Sequence, residues 1–442
     1  MHALAGRVNE AELVARTGRV SGVRGQLVLS SGPVAPVGEL CRIGPVGPGS
    51  GIDAEVVGFD GESTLLMPLG SVEGIALGHR VQALGRMPDV PVGTELLGRV
   101  VDAFGRPVDG REKISAAERQ TLRPKRIAAL KRGPVDRPMP TGVRVIDALL
   151  GLARGQRIGL FAGSGVGKST LMGMVARGTV ANVNVIALIG ERSREVREFV
   201  NDLLGVEGLK RSVVVVATAE EPALVRARAA YAATVIAEWF RDEGHEVLLM
   251  MDSLTRFAMA RREIGLAVGE PPAARGYTAS VFSELPQLCE RAGPGAGAAS
   301  ITGIYTVLAD GDDMNEPVAD ALRATLDGHI VLSRDIANAG QYPAVDVLHS
   351  ISRLQNAIST PESREAARRL VACCSLYERN RQLIEIGAYK PGINHALDRA
   401  LDAMPRIRRF LSQERHEKCS RDQALSSLVE LARSLGDDDG NY

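Results

Sequence analysis

Residues 161–170 read FAGSGVGKST, and the fold turns on how this decapeptide is read. From Ala162 to Ser169 it has the spacing of a phosphate-binding loop, GxxxxGK[ST], with Ala162 standing where the first glycine normally sits. That departure is mild, because Gly165 and Gly167 are the positions where backbone N–H groups most need room to curl around phosphate oxygens. An apolar run, RIGLFA (157–162), leads in, and a helical pattern, STLMGMVARGT (169–179), leads out. A helix starting there aims the positive end of its dipole at an anion. The expectation is a nucleotide cradle made of Gly163, Ser164, Gly165, Val166, Gly167, Lys168, Ser169 and Thr170, in which Lys168 bridges the β- and γ-phosphates and the Ser169 hydroxyl ligates Mg²⁺. The competing reading, a glycine-rich strand-to-helix turn without nucleotide, is disfavoured by this context.

Working outward, VNVIALIG (183–190), SVVVVAT (212–218) and EVLLMMD (246–252) are continuous apolar runs. Such runs belong to strands buried on both faces of a parallel sheet. The helical stretch EPALVRARAAYAATVIAEWFRDEG (221–244) lies between two of them. Strand-helix alternation predicts an α/β core over 93–360. Upstream, residues 19–85 are dense in Gly and Val, with short alternating runs such as RGQLVLSS and DAEVVGFDG broken by turn formers. They predict a small antiparallel barrel or sandwich within an N-terminal unit, 1–92. GRVVDAFGRPVDG (98–110) leads through a Pro- and Lys-rich connector to VRVIDALL (143–150). From Pro361 onward the periodicity is helical, so 361–442 is read as a C-terminal helical domain. The opening sixteen residues are either a weakly amphipathic helix or a frayed end, and GDDDGNY (436–442) has the composition of a disordered tail.

Two carboxylates complete the chemistry. Asp252 ends EVLLMMD, where a metal-orienting carboxylate sits beside a phosphate loop. One carboxylate, one hydroxyl and phosphate oxygens suffice for Mg²⁺. A plain helix N-cap is the alternative role for Asp252. Hydrolysis also needs a group to orient water and take its proton. Glu191, just past VNVIALIG in IGERSREVREF, is on the correct edge of the sheet, the alternative being a surface salt bridge to Arg192 or Arg194.

The bulk numbers exclude other classes. Lys and Arg total 53, as do Asp and Glu, so no basic excess announces a nucleic-acid track or an anionic membrane surface. No apolar run approaches the roughly 20 residues of a membrane span, and MHALAGRVNEAELVAR lacks a signal-peptide core; a cytosolic protein is expected. The five cysteines are scattered, with no CxxC pair, against both a disulfide framework and a zinc site.

The runs GQRIGLFAGSGVGKSTLMGMVARGT, ALIGERSREVREF, VLLMMDSLTRFAMARREIGLAVGEPPAARGYTASVFSELPQLCERAG and GDDMNEPVADALRATLDGHIVLSRDIANAGQYPAVDVLHSISR together resemble the export ATPases of the bacterial flagellum and of type III secretion systems, relatives of the rotary ATP synthase catalytic subunit. The likeness runs from about residue 19 to about residue 430. It implies a RecA-like core, Mg-dependent ATP hydrolysis and a homohexamer. By the same likeness Glu191 is the catalytic glutamate, Arg192 lines its pocket, Tyr342 in QYPAVD packs against adenine, and Arg353 in SISR is an arginine finger serving a neighbouring subunit. From the residues alone Tyr342 and Arg353 would be read as structural. The family's role is to release chaperones from export substrates at the membrane-embedded gate. That role makes the gate, regulators of the ATPase and chaperone-bound cargo the implied partners, with peripheral attachment to the inner membrane and the helical tail facing cargo and gate. YERNRQLIEIGAYKPGINHALDRALDAMPRIRRFL resembles the flagellar branch more than the virulence branch. A rotary catalytic subunit is the next reading, and GEPPAARGY counts against it. A nucleic-acid motor would need stacked aromatics in a basic groove, yet Phe59 is the only aromatic in the first hundred residues. A scaffold without turnover is disfavoured by Glu191 together with Arg353.

Overall fold

The computed structural model describes residues 15–45, 51–115, 118–123, 127–308 and 316–435. The 436–442 tail, and all of the opening segment except Ala15 and Arg16, lie outside the described residues. Strands β1 (Thr17–Arg24), β2 (Leu27–Ser31), β3 (Leu40–Gly44), β4 (Ile52–Asp60), β5 (Ser63–Pro68) and β6 (Arg80–Ala83) close into an antiparallel barrel in the order β1-β2-β5-β4-β3-β6. Alternation fills it: Val28, Cys41, Ile43, Val56, Leu66 and Val81 turn inward, while Arg42 between two of them turns out.

The chain then threads β7 (Asp89–Val92), β8 (Arg99–Asp102) and β9 (Glu118–Thr121), with β7 and β9 paired as a two-stranded ribbon. The main sheet adds β10 (Arg157–Ala162), β11 (Val183–Glu191), β12 (Ser212–Thr218), β13 (Val247–Asp252), β14 (Gly293–Pro294), β15 (Ser300–Leu308), β16 (Gly328–Leu332) and β17 (Val345–Ser352). Its order is β17-β16-β10-β15-β13-β11-β12-β8, with β14 alongside β15. Neighbours from β16 to β8 are parallel, and β17 is an antiparallel edge. The GRVVDAFG stretch, which the sequence reading did not name as a strand, supplies the far parallel edge, with Arg99 to Asp102 paired to Val213 to Val216. Only Val100 and Val101 of these four residues are apolar, too short a run to announce a strand.

Helices α1 (Arg144–Leu149), α2 (Lys168–Gly178), α3 (Ser193–Glu198), α4 (Ala223–Asp242), α5 (Leu254–Ala267), α6 (Ala279–Cys289) and α7 (Pro317–Thr325) flank the sheet. Along β11, Val185, Ala187 and Ile189 join the core shared with α4, α5 and α6, whereas Ile186 and Leu188 join the core shared with α1 and α2. That double burial is why the strand reads as an unbroken apolar run. The C-terminal helices α8 (Pro361–Glu385), α9 (His395–Leu411) and α10 (Arg421–Ser434) extend the second core through Leu370, Cys374, Ile407 and Leu428. Gln413, after α9, ties this region to the sheet domain: its N–H donates to the Tyr342 carbonyl (2.9 Å) and its Nε2 to the Gly142 carbonyl (2.9 Å). All five cysteines are buried free thiols. Among the described residues no helix is long and apolar enough to cross a membrane, and no group of His, Cys, Asp and Glu converges as a metal cluster.

Candidate nucleotide site

Ala162 is the last residue of β10, and α2 begins at Lys168. Gly165 and Gly167 hold φ of 80° and 90°, a left-handed backbone in which a Cβ would be strained. Val166 is buried in the core beneath the loop. The glycines thus let the loop fold back while the valine pins it. Ser169 and Thr170 occupy the first turn of α2, and Arg334 reaches the Ser164 carbonyl from beyond β16 (3.5 Å).

Because β10, β13 and β11 run parallel, their carboxyl ends share one edge of the sheet, the edge where such folds bind ligands. Lys168 Nζ lies 2.6 Å from Asp252 Oδ1 and 3.7 Å from Glu191 Oε1. Thr306, on β15 between the strands of the other two, donates its hydroxyl to the same Asp252 oxygen at 2.6 Å. Asp252 is not the helix cap: Ser253 caps α5, its Oγ accepting from the Arg256 N–H at 3.2 Å. The Asp252–Ser253 peptide is cis.

Glu191 is 8% exposed, and its Oε1 has no hydrogen-bond partner among the described residues. Loss of solvation, then the negative charge of Asp252 and a hydrogen bond with Glu195, push its carboxyl up to about 7 against the attraction of Lys168 and Arg256. A bulge between Ile189 and Glu191 in the pairing with β12 re-aims the side chain at the end of the strand. Gly190, at φ 69°, sits against Arg256, whose Cβ would stand 3.1 Å from a Cβ placed on the glycine.

The remaining sequence-predicted residues divide. Tyr342 is brought to the loop: its ring lies 3.5 Å from where a Gly167 Cβ would be, and it lines a cleft of about 580 Å³ with Thr170, Arg144 and the segment after α9. Tyr342 is 48% exposed, an aromatic side chain open to solvent beside the loop rather than a core residue. Arg192 stands apart, at the N-cap of α3 with its side chain 82% exposed and 3.6 Å from Glu195. Arg353 lies at the opposite edge of the sheet. It follows antiparallel β17, whose Ser352 pairs with Gly328 at the start of β16, and its N–H donates to the Asp327 carbonyl (3.1 Å). The Asp327 N–H donates in turn to the carbonyl of Arg157, the first residue of β10. The length of β10, about 17 Å at strand rise, therefore separates Arg353 from its own chain's loop.

Sequence reading missed Thr306 and Arg256. Arg256 had a signal, an arginine in the first helical turn after Asp252. Thr306 had none, because only the strand order puts β15 next to β13.

A parallel sheet with a glycine loop at its carboxyl edge, and a lysine held between two strand-end carboxylates, defines a phosphate-loop nucleotide-binding protein. Residues 142–352 match the ATP synthase alpha/beta family, nucleotide-binding domain, and residues 359–430 match the T3SS EscN ATPase C-terminal domain. The chain is 52% identical to the flagellum-specific ATP synthase of Bacillus subtilis (strain 168), over 94% of this chain and 95% of the relative. It is 48% identical to the type 3 secretion system ATPase of Xanthomonas euvesicatoria, over 96% and 95%. The solved structure of the assembled ATPase EscN from enteropathogenic E. coli superposes with a TM-score of 0.89 at 41% identity, covering 94% of this chain and 100% of that one. The chain belongs to the family of flagellum-specific ATP synthases and type III secretion ATPases.

Proposed function

We propose that the chain hydrolyses Mg-ATP at sites shared between subunits of a homohexamer, and that turnover drives protein export through a flagellar type III apparatus. The observation that carries this reading is the division of the site residues between two sheet edges. Lys168, Asp252 and Glu191 share one edge, and Arg353 stands on the other. A finger that cannot reach its own loop can serve a neighbour's.

The roles follow from position. Lys168 and the loop N–H groups hold the phosphates, and Tyr342 stacks on the adenine. The Ser169 hydroxyl and Asp252 carboxylate are hard oxygen donors at the loop and would hold Mg²⁺. The metal supplies charge neutralisation on the phosphate oxygens. Glu191 orients the attacking water and accepts its proton, which its raised affinity for protons equips it to do near neutral pH. Arg353 of one subunit stabilises charge on the transferring phosphoryl group in the next. The Arg192 side chain points to solvent in the single chain, and a role for it depends on rearrangement when nucleotide binds.

The export role is supported by the flagellum-specific relatives at 52% and 51% identity. EscN has been solved in complex with its central stalk EscO, which supports a stalk partner here as well, with the helical region 361–442 turned toward chaperone-bound cargo and the membrane gate. The test is ATPase activity across protein concentration with particle size measured in parallel. Specific activity is expected to climb as rings assemble; full activity in a dilute monomer overturns the shared site. Restoring motility to a strain lacking its flagellar export ATPase, without restoring secretion to a virulence-system null, separates the flagellar from the virulence reading.

A further inference from the structure

Between the barrel and the nucleotide-binding domain, away from the phosphate loop, lies a cavity of about 350 Å³. Met87, Leu122, Leu224 and Leu288 give it an apolar wall. Its polar groups arrive from separate elements: Glu55 on β4 of the barrel, Arg228 and Tyr231 on α4, Arg261 on α5, Glu284 on α6. Some of them satisfy one another. Tyr231 donates to Glu284 at 2.8 Å, Glu284 pairs with Arg261, and Arg291, just past α6, pairs with Glu238 at 2.6 Å.

Two donors are left over. Arg228 is 5% exposed; its Nε and Nη2 donate to the Ala103 and Asp89 carbonyls, but its Nη1 has no acceptor among the described residues, and neither has Arg261 Nε. A buried N–H left unpaired costs about 1–3 kcal/mol. The Glu55 carboxyl faces both guanidiniums, yet loss of solvation pushes it up to about 7 against their attraction. Near neutral pH it is therefore only partly ionised and only partly balances them. Arg123, at the rim, adds to the positive side.

We propose that this cavity is a second ligand site, for a small monoanion with an apolar body, its carboxylate on Arg228 and Arg261 and its hydrocarbon against the Leu224 and Leu288 wall. The volume is at the small end of the range for ligand clefts. Because β4 of the barrel and α4 to α6 of the nucleotide domain both line the space, an occupant braces the two bodies against each other.

The probe is 1-naphthoate, titrated calorimetrically into the full chain with ADP saturating so that the nucleotide cleft is filled. One saturable site per chain is expected, with the uncharged isostere 1-naphthamide binding at least about tenfold more weakly, the worth of a charge-assisted hydrogen bond. Gln287 is an exposed residue on the rim, so Gln287→Trp should close the mouth and abolish binding while circular dichroism stays unchanged. Affinity of the unsubstituted chain should fall as pH rises through about 7, as Glu55 gains the same charge as the ligand, and should stay level in Glu55→Gln. Naphthoate that never saturates, naphthamide that binds equally well, or a Gln287→Trp chain that binds unchanged each overturns the proposal; should that variant misfold, the Glu55→Gln comparison still decides.

Discussion

Glu191 ends β11 almost wholly buried, with Asp252 and Lys168 on the same sheet edge. A carboxyl in this setting holds its proton up to about 7, so the base form becomes available only as the solution passes neutrality. The turnover number should therefore rise with pH and level off above about 7, and in the Glu191→Gln chain that limb should vanish with the activity. The expected loss is about 10²- to 10⁴-fold, with nucleotide binding retained, read by single-turnover kinetics beside fluorescent-nucleotide titration. Stability should move the other way. In the unfolded chain Glu191 ionises near its ordinary value, whereas in the folded chain it resists ionisation, so the native state loses stability as pH climbs from that value to about 7. Glu191→Gln removes this penalty, by at most about 3 kcal/mol, and should raise the thermal midpoint at mildly alkaline pH while leaving it unchanged in acid. A more stable, inactive variant is what a buried functional carboxylate predicts; equal melting at both pH values would mean the carboxyl is solvated in the native protein.

At the scale of elements, the phosphate loop is held from behind. The last residue of α2, Gly178, meets the turn before α1 so closely that a Cβ would fall 2.4 Å from the Thr141 carbonyl oxygen. The turn cannot yield, because Asp147 accepts from the Thr141 N–H and hydroxyl (2.8 Å each) and from the Gly142 N–H (2.9 Å). Gly178→Ala must therefore displace α2. A cost of about 1–3 kcal/mol is expected, seen as a lowered thermal midpoint together with weakened ADP affinity, since the same helix carries Lys168 and Ser169. A change in midpoint without a change in affinity would show that the loop is positioned independently of its helix. The same scale explains what the amino-acid sequence disclosed. β10, β11, β12 and β13 are legible because both faces are hydrocarbon and nothing polar interrupts them. β15 was not named from its pattern, because Thr302 and Thr306 break the apolar run; both are buried, the first accepting from the Gly155 N–H and the second serving Asp252. Polar residues that are satisfied by partners more than fifty positions away look, in one dimension, like residues that belong at the surface. The loop, Glu191 and Asp252 were legible because each closes a recognisable strand. Thr306 and the bearing of Arg256 on Glu191 exist only once the strands are laid side by side.

For the whole molecule the decisive fact is that β17 runs antiparallel to β16, its neighbour at the edge of the sheet. Arg353 leaves that strand at the amino edge of the sheet, about 17 Å from the loop at the carboxyl edge by the length of β10, and no side-chain rotation spans such a gap. If both residues act in one reaction, they act from different chains. Two inactive variants should then repair each other. Arg353→Ala keeps a complete loop, Lys168, Asp252 and Glu191; Glu191→Gln keeps the arginine. Mixed in equal amounts and assembled at random, about a quarter of the interfaces pair an intact glutamate with an intact arginine, because closed rings present the same head-to-tail contact throughout. Activity of up to about a quarter of the unsubstituted ring should return on mixing, and should fall again on dilution as rings dissociate. Nucleotide affinity of the isolated Arg353→Ala subunit should match that of the unsubstituted chain, since the arginine touches no phosphate of its own. Verified mixed rings that stay inactive would overturn the site shared between chains.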